Sequence, residues 1–287
     1  MITLVCPVVK KDLSRFELSL SSLEKKFDLS IIKEYIIIIR KKEYKKIENS
    51  LVSKIPIRVV YEERLINPKL IKLFPKKWYL QQALKIAVSK IITTKMYLVL
   101  DCDTILIKRL NNKKLFPNDL PIFNLGSKKN HKRWWEGSLK TLKYRKKKSQ
   151  ISINGEEMGI GVTPCIVYTK IMLELIDYLE KIKGELGNWV EYLLSINTPR
   201  WTEYTMYYLY IEENYKVKDL YDLKTKYILA NFENSLWRIA KLNKFISNVP
   251  NLQKQYGYFI VIQGTTRIST EKIKKILNRK IIIIKSK

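Results

Sequence analysis

The chain has 287 residues, with 55 Lys and Arg against 27 Asp and Glu, a formal charge of +28. The length is enough for one large domain or two small ones with an apolar core, and the charge favours acidic partners: nucleotides, nucleic acids or anionic membrane surfaces. Cys6, Cys102 and Cys165 lie beside apolar, strand-like sequence with no paired spacing, which excludes a disulfide framework and a zinc site.

Residues 2–9 read as an apolar strand. Asp12, Leu13 and Ser14 then open a helix reaching Phe27, with Phe16, Leu20, Leu23 and Phe27 at helical spacing. Residues 35–39 are a second strand, 41–49 a charged helical segment and 57–61 a third strand. This alternation is the βαβ signature of a parallel sheet with helices on its faces. A helix follows from Lys76, in which Leu80, Leu84, Val88 and Ile91 face the sheet. Gln81 and Lys85, four apart, project together. If that face looks at the strand ends, Lys85 meets a phosphate and Gln81 a base or sugar; a solvated helix face is the plainer reading.

Residues 96–100 form a buried strand that ends in Asp101-Cys102-Asp103, and an apolar stretch, 105–107, follows. Paired carboxylates where a buried strand emerges are costly unless a cation sits there, and oxygen ligands suit Mg²⁺ or Mn²⁺. The alternative is a polar strand end with solvated acids. In open parallel sheets, ligands bind beyond the carboxyl ends of the strands. No Gly-x-Gly-x-x-Gly or Walker sequence is present, so a dinucleotide site or P-loop is not expected.

Residues 121–126 read as a short strand. Residues 128–148 are dense in cations with Trp134, Trp135 and Tyr144 interleaved. They read as a mobile loop over the site, as a patch for an acidic acceptor or membrane surface, as a base-stacking surface, or simply as a solvated loop. His131, the single His, is expected on that loop. Gly155, Gly159 and Gly161 allow close approach of backbone to a ligand, or mark a turn into the strand 164–168. Residues 170–183 and 189–196 are helical, and Asn197 to Arg200 break the run. Thr202 then caps a helix with Glu203 in its first turn. A strand at 258–262 leads to Gln263, then to a basic helix from Thr270 and the apolar run 281–284. No repeat or flexible linker appears, so one domain is expected. The start lacks the charged and long apolar parts of a signal peptide, and the Ile runs are too short to span a bilayer. The expectation is a cytoplasmic protein, peripheral at membranes if its basic patches engage them.

Taken together, these residues resemble the GT-A superfamily of nucleotide-sugar glycosyltransferases. The pattern Trp78-Tyr79-x-Gln81-Gln82-x-x-Lys85, then Tyr97 to Asp101-x-Asp103-Thr104, then Thr202-Glu203-Tyr204, is similar to a little-characterised GT-A-like group of bacteria and large DNA viruses. The resemblance implies an α/β, Rossmann-like, mostly parallel sheet flanked by helices, with a helical C-terminal part. It spans residues 1–265, with a nucleotide-binding half to about 110, an acceptor half beyond it, and a basic tail at 266–287. By the same resemblance, Asp103 ligates Mn²⁺ or Mg²⁺, Asp101 contacts metal or ribose, and Pro7, Val8 and Asp12 hold the nucleobase. Glu203 matches the catalytic base of inverting members. Gln263 stands where many members have a metal-binding His. The donor would be UDP- or GDP-linked, UDP favoured, and the acceptor a glycan or glycolipid.

Two other readings remain open. The strand and Asp-x-Asp also resemble the first motif of haloacid-dehalogenase-type phosphatases, but three strand-like segments precede it here and no convincing acidic pair follows. A nucleic-acid-binding protein would account for the charge and for Trp134-Trp135, yet has no need of Asp-x-Asp at a strand end.

Overall fold

The computed structural model describes residues 1–196, 200–223, 228–230 and 232–278. Four strands are parallel: β1 (Ile2–Pro7), β2 (Ile32–Ile39), β3 (Ile57–Tyr61) and β4 (Met96–Val99). A later strand joins them antiparallel to β4, giving the order 3-2-1-4 and then that edge strand. Period-two alternation divides the side chains between two cores. Val5, Ile36, Ile38, Tyr97 and Val99 face one side; Leu4, Cys6, Ile37, Ile39, Leu98 and Leu100 face the other. Helix α1 (Leu13–Lys26) covers the second side through Phe16, Leu20 and Leu23. Helix α2 (Lys77–Ala87) covers the first through Leu80, Ala83 and Leu84.

After β4 the chain makes β5 (Thr104–Leu106), then the three-stranded sheet β6-β8-β7 from β6 (Leu125–Ser127), β7 (Ile151–Ile153) and β8 (Glu156–Ile160). The edge strand of the main sheet is β9 (Cys165–Tyr168), and β10 (Phe259–Val261) pairs antiparallel with β5. The turn between β7 and β8 has both central residues at positive φ, Asn154 at 50° and Gly155 at 77°. Asn-Gly is the pair that adopts this conformation most readily, so residues read only as a Gly-rich turn are the tip of a hairpin.

Three expected elements differ. Residues 41–49 form 3-10 turns, Lys41–Lys46 and Glu48–Leu51, not a regular helix. Their run of charges supplies no apolar stripe to hold a longer one. Residues 121–124 are buried with a single bridge, Ile122 to Asp222, and the regular ladder starts at Leu125. The stretch 128–148, expected as a loop, contains α3 (Lys132–Thr141), which buries Trp135, Ser138 and Thr141. The dense Lys and Arg hide that helical stripe from a composition-based reading.

Helix α4 (Thr169–Ile182) and helix α5 (Glu203–Asn214) complete the first core. The break expected over residues 197–199 lies outside the described residues; Arg200 is coil. Helix α5 opens as the sequence predicts: Thr202 is the N-cap and forms a capping box with Thr205. Helix α6 (Thr270–Asn278) buries Ile273 and Leu277 in a third core with Leu18 of α1, Ile105 and Ile260, so the segment beyond residue 265 packs on the rest of the chain. The run 281–284 lies outside the described residues. Among the described residues, no helix is long and apolar enough to cross a membrane.

One tight contact gives a stability prediction. A Cβ at Gly137 of α3 would fall 2.4 Å from the Arg200 carbonyl oxygen, against backbone that has no flexible end to yield. Gly137→Ala should cost about 1–3 kcal/mol by overpacking, despite alanine's better helix propensity. Urea unfolding checks the sign: a stabilised variant would contradict this packing.

Candidate functional site

In the strand order 3-2-1-4 the chain leaves β1 toward β2 on one side and returns as β4 on the other, which opens a crevice at the carboxyl ends of β1 and β4. Asp101 follows β4 directly. Asp103 is set by the β5–β10 pairing: its carbonyl accepts the Ile262 N–H at 3.0 Å, and its carboxylate Oδ2 accepts the Gly264 N–H at 3.1 Å. Both line a cleft of about 650 Å³, with Lys85, Gln263, Trp78 and Trp134 among its other walls.

A buried charge network lies beneath. Lys85, 2% exposed, places Nζ 2.7 Å from Asp101 Oδ1 and 3.0 Å from Glu203 Oε1. Burial works against its ammonium form, but the Asp101 and Glu203 carboxylates outweigh burial and hold the pKa well above the usual lysine range. Gln81 donates from Nε2 to the same Asp101 oxygen at 3.2 Å. Burial pushes Glu203 up, with Lys85 opposing it, and Oε2 has no hydrogen-bond partner among the described residues. The Asp103 carboxyl is pushed up to about 7, first by burial and then by Asp101, with the Gly264 N–H and Arg15 opposing.

The donor set fits a hard divalent cation that keeps water ligands. Asp101 Oδ2 and Asp103 Oδ1 make no bond to another residue among those described, and the raised Asp103 registers repulsion that a cation would relieve. Gln263 lines the cleft, although its Oε1 already accepts the Thr265 hydroxyl at 2.9 Å. No group of three or more His, Cys, Asp or Glu comes together for a metal among the described residues. A carboxylate pair, an amide oxygen and water are therefore the available ligands.

Glu203, expected as the base, is 0% exposed, does not line the cleft and faces Lys85. Helix α5 is buried along Glu203 to Leu209; in its first turn Tyr204 and Thr205 reach the cleft wall and Glu203 does not. Lys85 lines the cleft with Nζ held between Asp101 and Glu203, while Gln81, outside the lining, donates to Asp101. Pro7 and Val8 are buried and do not line the cleft; the Pro7 carbonyl lies 3.4 Å from the Cys102 thiol beneath the Asp-x-Asp turn. Asp12 sits at the edge, half-buried near Gly264, with its pKa raised chiefly by burial. Glu156 and Glu157 lie on β8 outside this cleft.

Other cleft residues come from the stretch that seemed to be loop. Trp134 stacks on Trp78 of α2 at 5.5 Å between centroids, and His131, exposed as expected, stacks on Trp134 at 4.0 Å. Gly159 and Gly161 let rings approach the backbone, where a Cβ would meet Trp135 at 2.6 Å and Phe232 at 2.7 Å, and Gly161 also lines the cleft. Trp237, on the far wall, carried no periodic signal in sequence. Spacing does mark Trp78, three residues before Gln81 on one helix.

The fold is GT-A-like. Over 93% of this chain and 99% of the other, it is similar to mouse xyloside xylosyltransferase 1 in its apo form, with 13% identity and a TM-score of 0.50. It is likewise similar to the galactosyltransferase LgtC in complex with donor and acceptor sugar analogs, at 12% identity and TM-score 0.51, covering 97% of this chain and 96% of that one. By sequence the chain belongs to a family of unknown function (DUF6492), matched over residues 1–284. No curated protein matches it.

Proposed function

We propose that the protein is a metal-dependent glycosyltransferase that moves a sugar from a UDP- or GDP-linked donor, UDP favoured, to an acceptor hydroxyl on a glycan or glycolipid. The observation that carries this is the Asp101–Asp103 pair, held at the switch point of a GT-A-like sheet and open to a cleft large enough for a nucleotide sugar. The solved structures of similar fold are named as a xylosyltransferase and a galactosyltransferase, which supports the same reaction class.

In the transfer, the bond from the anomeric carbon to the diphosphate breaks and its electron pair leaves with the nucleoside diphosphate. A bond from the acceptor oxygen to the anomeric carbon forms, and the hydroxyl proton passes to solvent. Asp101 and Asp103, with water and with Gln263 beside them, would hold a divalent cation, which would supply positive charge against that growing on the diphosphate. Lys85 and Gln81 fix the Asp101 carboxylate, and the Gly264 N–H fixes that of Asp103, so both are oriented before substrate arrives. Trp78 and Trp134 wall the cleft and exclude water from the reacting bond. With Glu203 buried, the inverting outcome expected from a Glu203 base loses its support.

The test is release of nucleoside diphosphate from a panel of UDP- and GDP-sugars, with Mn²⁺ or with EDTA. The expected result is slow hydrolysis of one nucleotide class that stops in EDTA. Release from none of the donors, or release indifferent to EDTA, would count against the assignment.

A further inference from the structure

A second cavity, of about 570 Å³, lies behind the first and is lined by α3, α5, the segment 144–150 and the hairpin residues Gly155 and Glu157. Trp135 is the partition, since its ring belongs to the walls of both. The two cavities thus adjoin across the Trp135 side chain. The lining of the second holds seven Lys or Arg side chains against four Glu. Four cations are matched: Lys128 Nζ lies 2.6 Å from Glu212 Oε2, Lys147 Nζ 2.7 Å from Glu213 Oε2, Lys132 Nζ 3.6 Å from Glu136 Oε1 and Lys129 Nζ 4.0 Å from Glu156 Oε1. Arg145, Lys146 and Lys148 make no ion pair among the described residues.

We infer that this cavity binds the oxyanion-bearing part of an acidic sugar, so that the acceptor is an anionic glycan whose charge sits beyond the reacting hydroxyl. Three features match that chemistry. Unmatched Arg145, Lys146 and Lys148 supply charge-assisted hydrogen bonds to a carboxylate or phosphate. The Glu136 and Glu157 carboxylates are acceptors for sugar hydroxyls. The Trp135 and Tyr144 rings offer apolar surface to a pyranose, with Lys128 packed 5.0 Å from the Trp135 centroid to fix that ring.

The cavity does not match a lipid surface. Among the described residues, the exposed large apolar side chains, Met1, Val52, Leu73, Trp78, Ile239 and Tyr256, all lie outside it and leave none there to enter a bilayer. Its concave walls and four carboxylates also oppose contact with a flat anionic plane. Naming the ligand an acceptor rests on the proposed transfer reaction; its binding does not.

The test therefore reads binding, by calorimetry on the full chain at physiological salt. The probes are a galacturonate hexamer and its neutral methyl ester. The parent should bind the acid about tenfold or more tightly than the ester. Arg145→Gln, Lys146→Gln and Lys148→Gln together should erase that preference, while Lys41→Gln, Lys42→Gln and Lys45→Gln, an equal loss of exposed charge on another face, should keep it. Equal loss in both triple variants reduces the effect to bulk attraction by a basic protein and overturns the proposal. So does equal binding of acid and ester. Vesicles of phosphatidylserine and phosphatidylcholine form the last arm: capture by vesicles, abolished in the first triple variant, without binding of the hexamer, would make the occupant a lipid surface. Mn²⁺-dependent nucleoside diphosphate binding, measured in the same samples, should be unchanged in both variants. Its absence from the parent would sink the transferase reading and leave the acidic-sugar result standing.

Discussion

Asp103→Ala abolishes the Mn²⁺-dependent part of nucleoside diphosphate binding and leaves the fold intact. Asp103 supplies one of the two carboxylates in the donor set, and no third acid is near enough to replace it among the described residues. The fold survives because the main interaction of the side chain is with the Gly264 N–H, while burial and Asp101 both oppose its charge. Removing it relieves repulsion, so the metal-free variant should melt no lower than the parent. Calorimetry with UDP and GDP, with and without Mn²⁺, reads binding, and a melting scan reads the fold. A well-folded variant that binds nucleotide and Mn²⁺ as the parent does would remove Asp103 from the site.

The second large effect is on stability. Lys85 is the cation nearest both Asp101 and Glu203, and Glu203 is wholly buried. Lys85→Met keeps the apolar stem and leaves the Glu203 charge unpaired, which should cost about 3–5 kcal/mol. Adding Glu203→Gln removes the orphaned charge and should recover most of that loss. Denaturant titration of parent, both single variants and the double variant gives the coupling directly. Additive losses would mean that the two residues do not act as a pair. The double variant also separates folding from function: stability returns, but Asp101 lacks its Lys85 partner, so Mn²⁺-dependent nucleotide affinity should stay below the parent's.

Much of this was legible in sequence because the relevant signals are local. Strands β1 to β4 announce themselves as apolar runs, the Thr202 cap by its hydroxyl before a helix, and the Asp-x-Asp by acids at a strand end. What stayed hidden depends on distant pairing. Asp103 meets Gly264 only because β5 pairs with β10 across some 150 residues, and no periodicity records that. Lys85 and Glu203 looked like surface groups because charge normally marks solvent, whereas here three charged side chains are buried or half-buried against one another. Helix α5 carries its tyrosines inward, with Tyr207 and Tyr221 sharing a hydroxyl hydrogen bond of 2.8 Å, so a polar composition concealed a core helix. The Asn154-Gly155 hairpin was the opposite case, a local signal present but read only as a glycine-rich turn.

The most direct measurement of the central claim is a binding isotherm of the full chain with UDP and with GDP, each titrated in Mn²⁺ and again in EDTA. The account predicts saturable binding of one of the two, strengthened at least about tenfold by Mn²⁺, with that gain lost when a metal-free background is restored. Binding of neither nucleotide, or equal binding in Mn²⁺ and EDTA, would contradict a metal-assisted nucleotide-sugar site at Asp101 and Asp103.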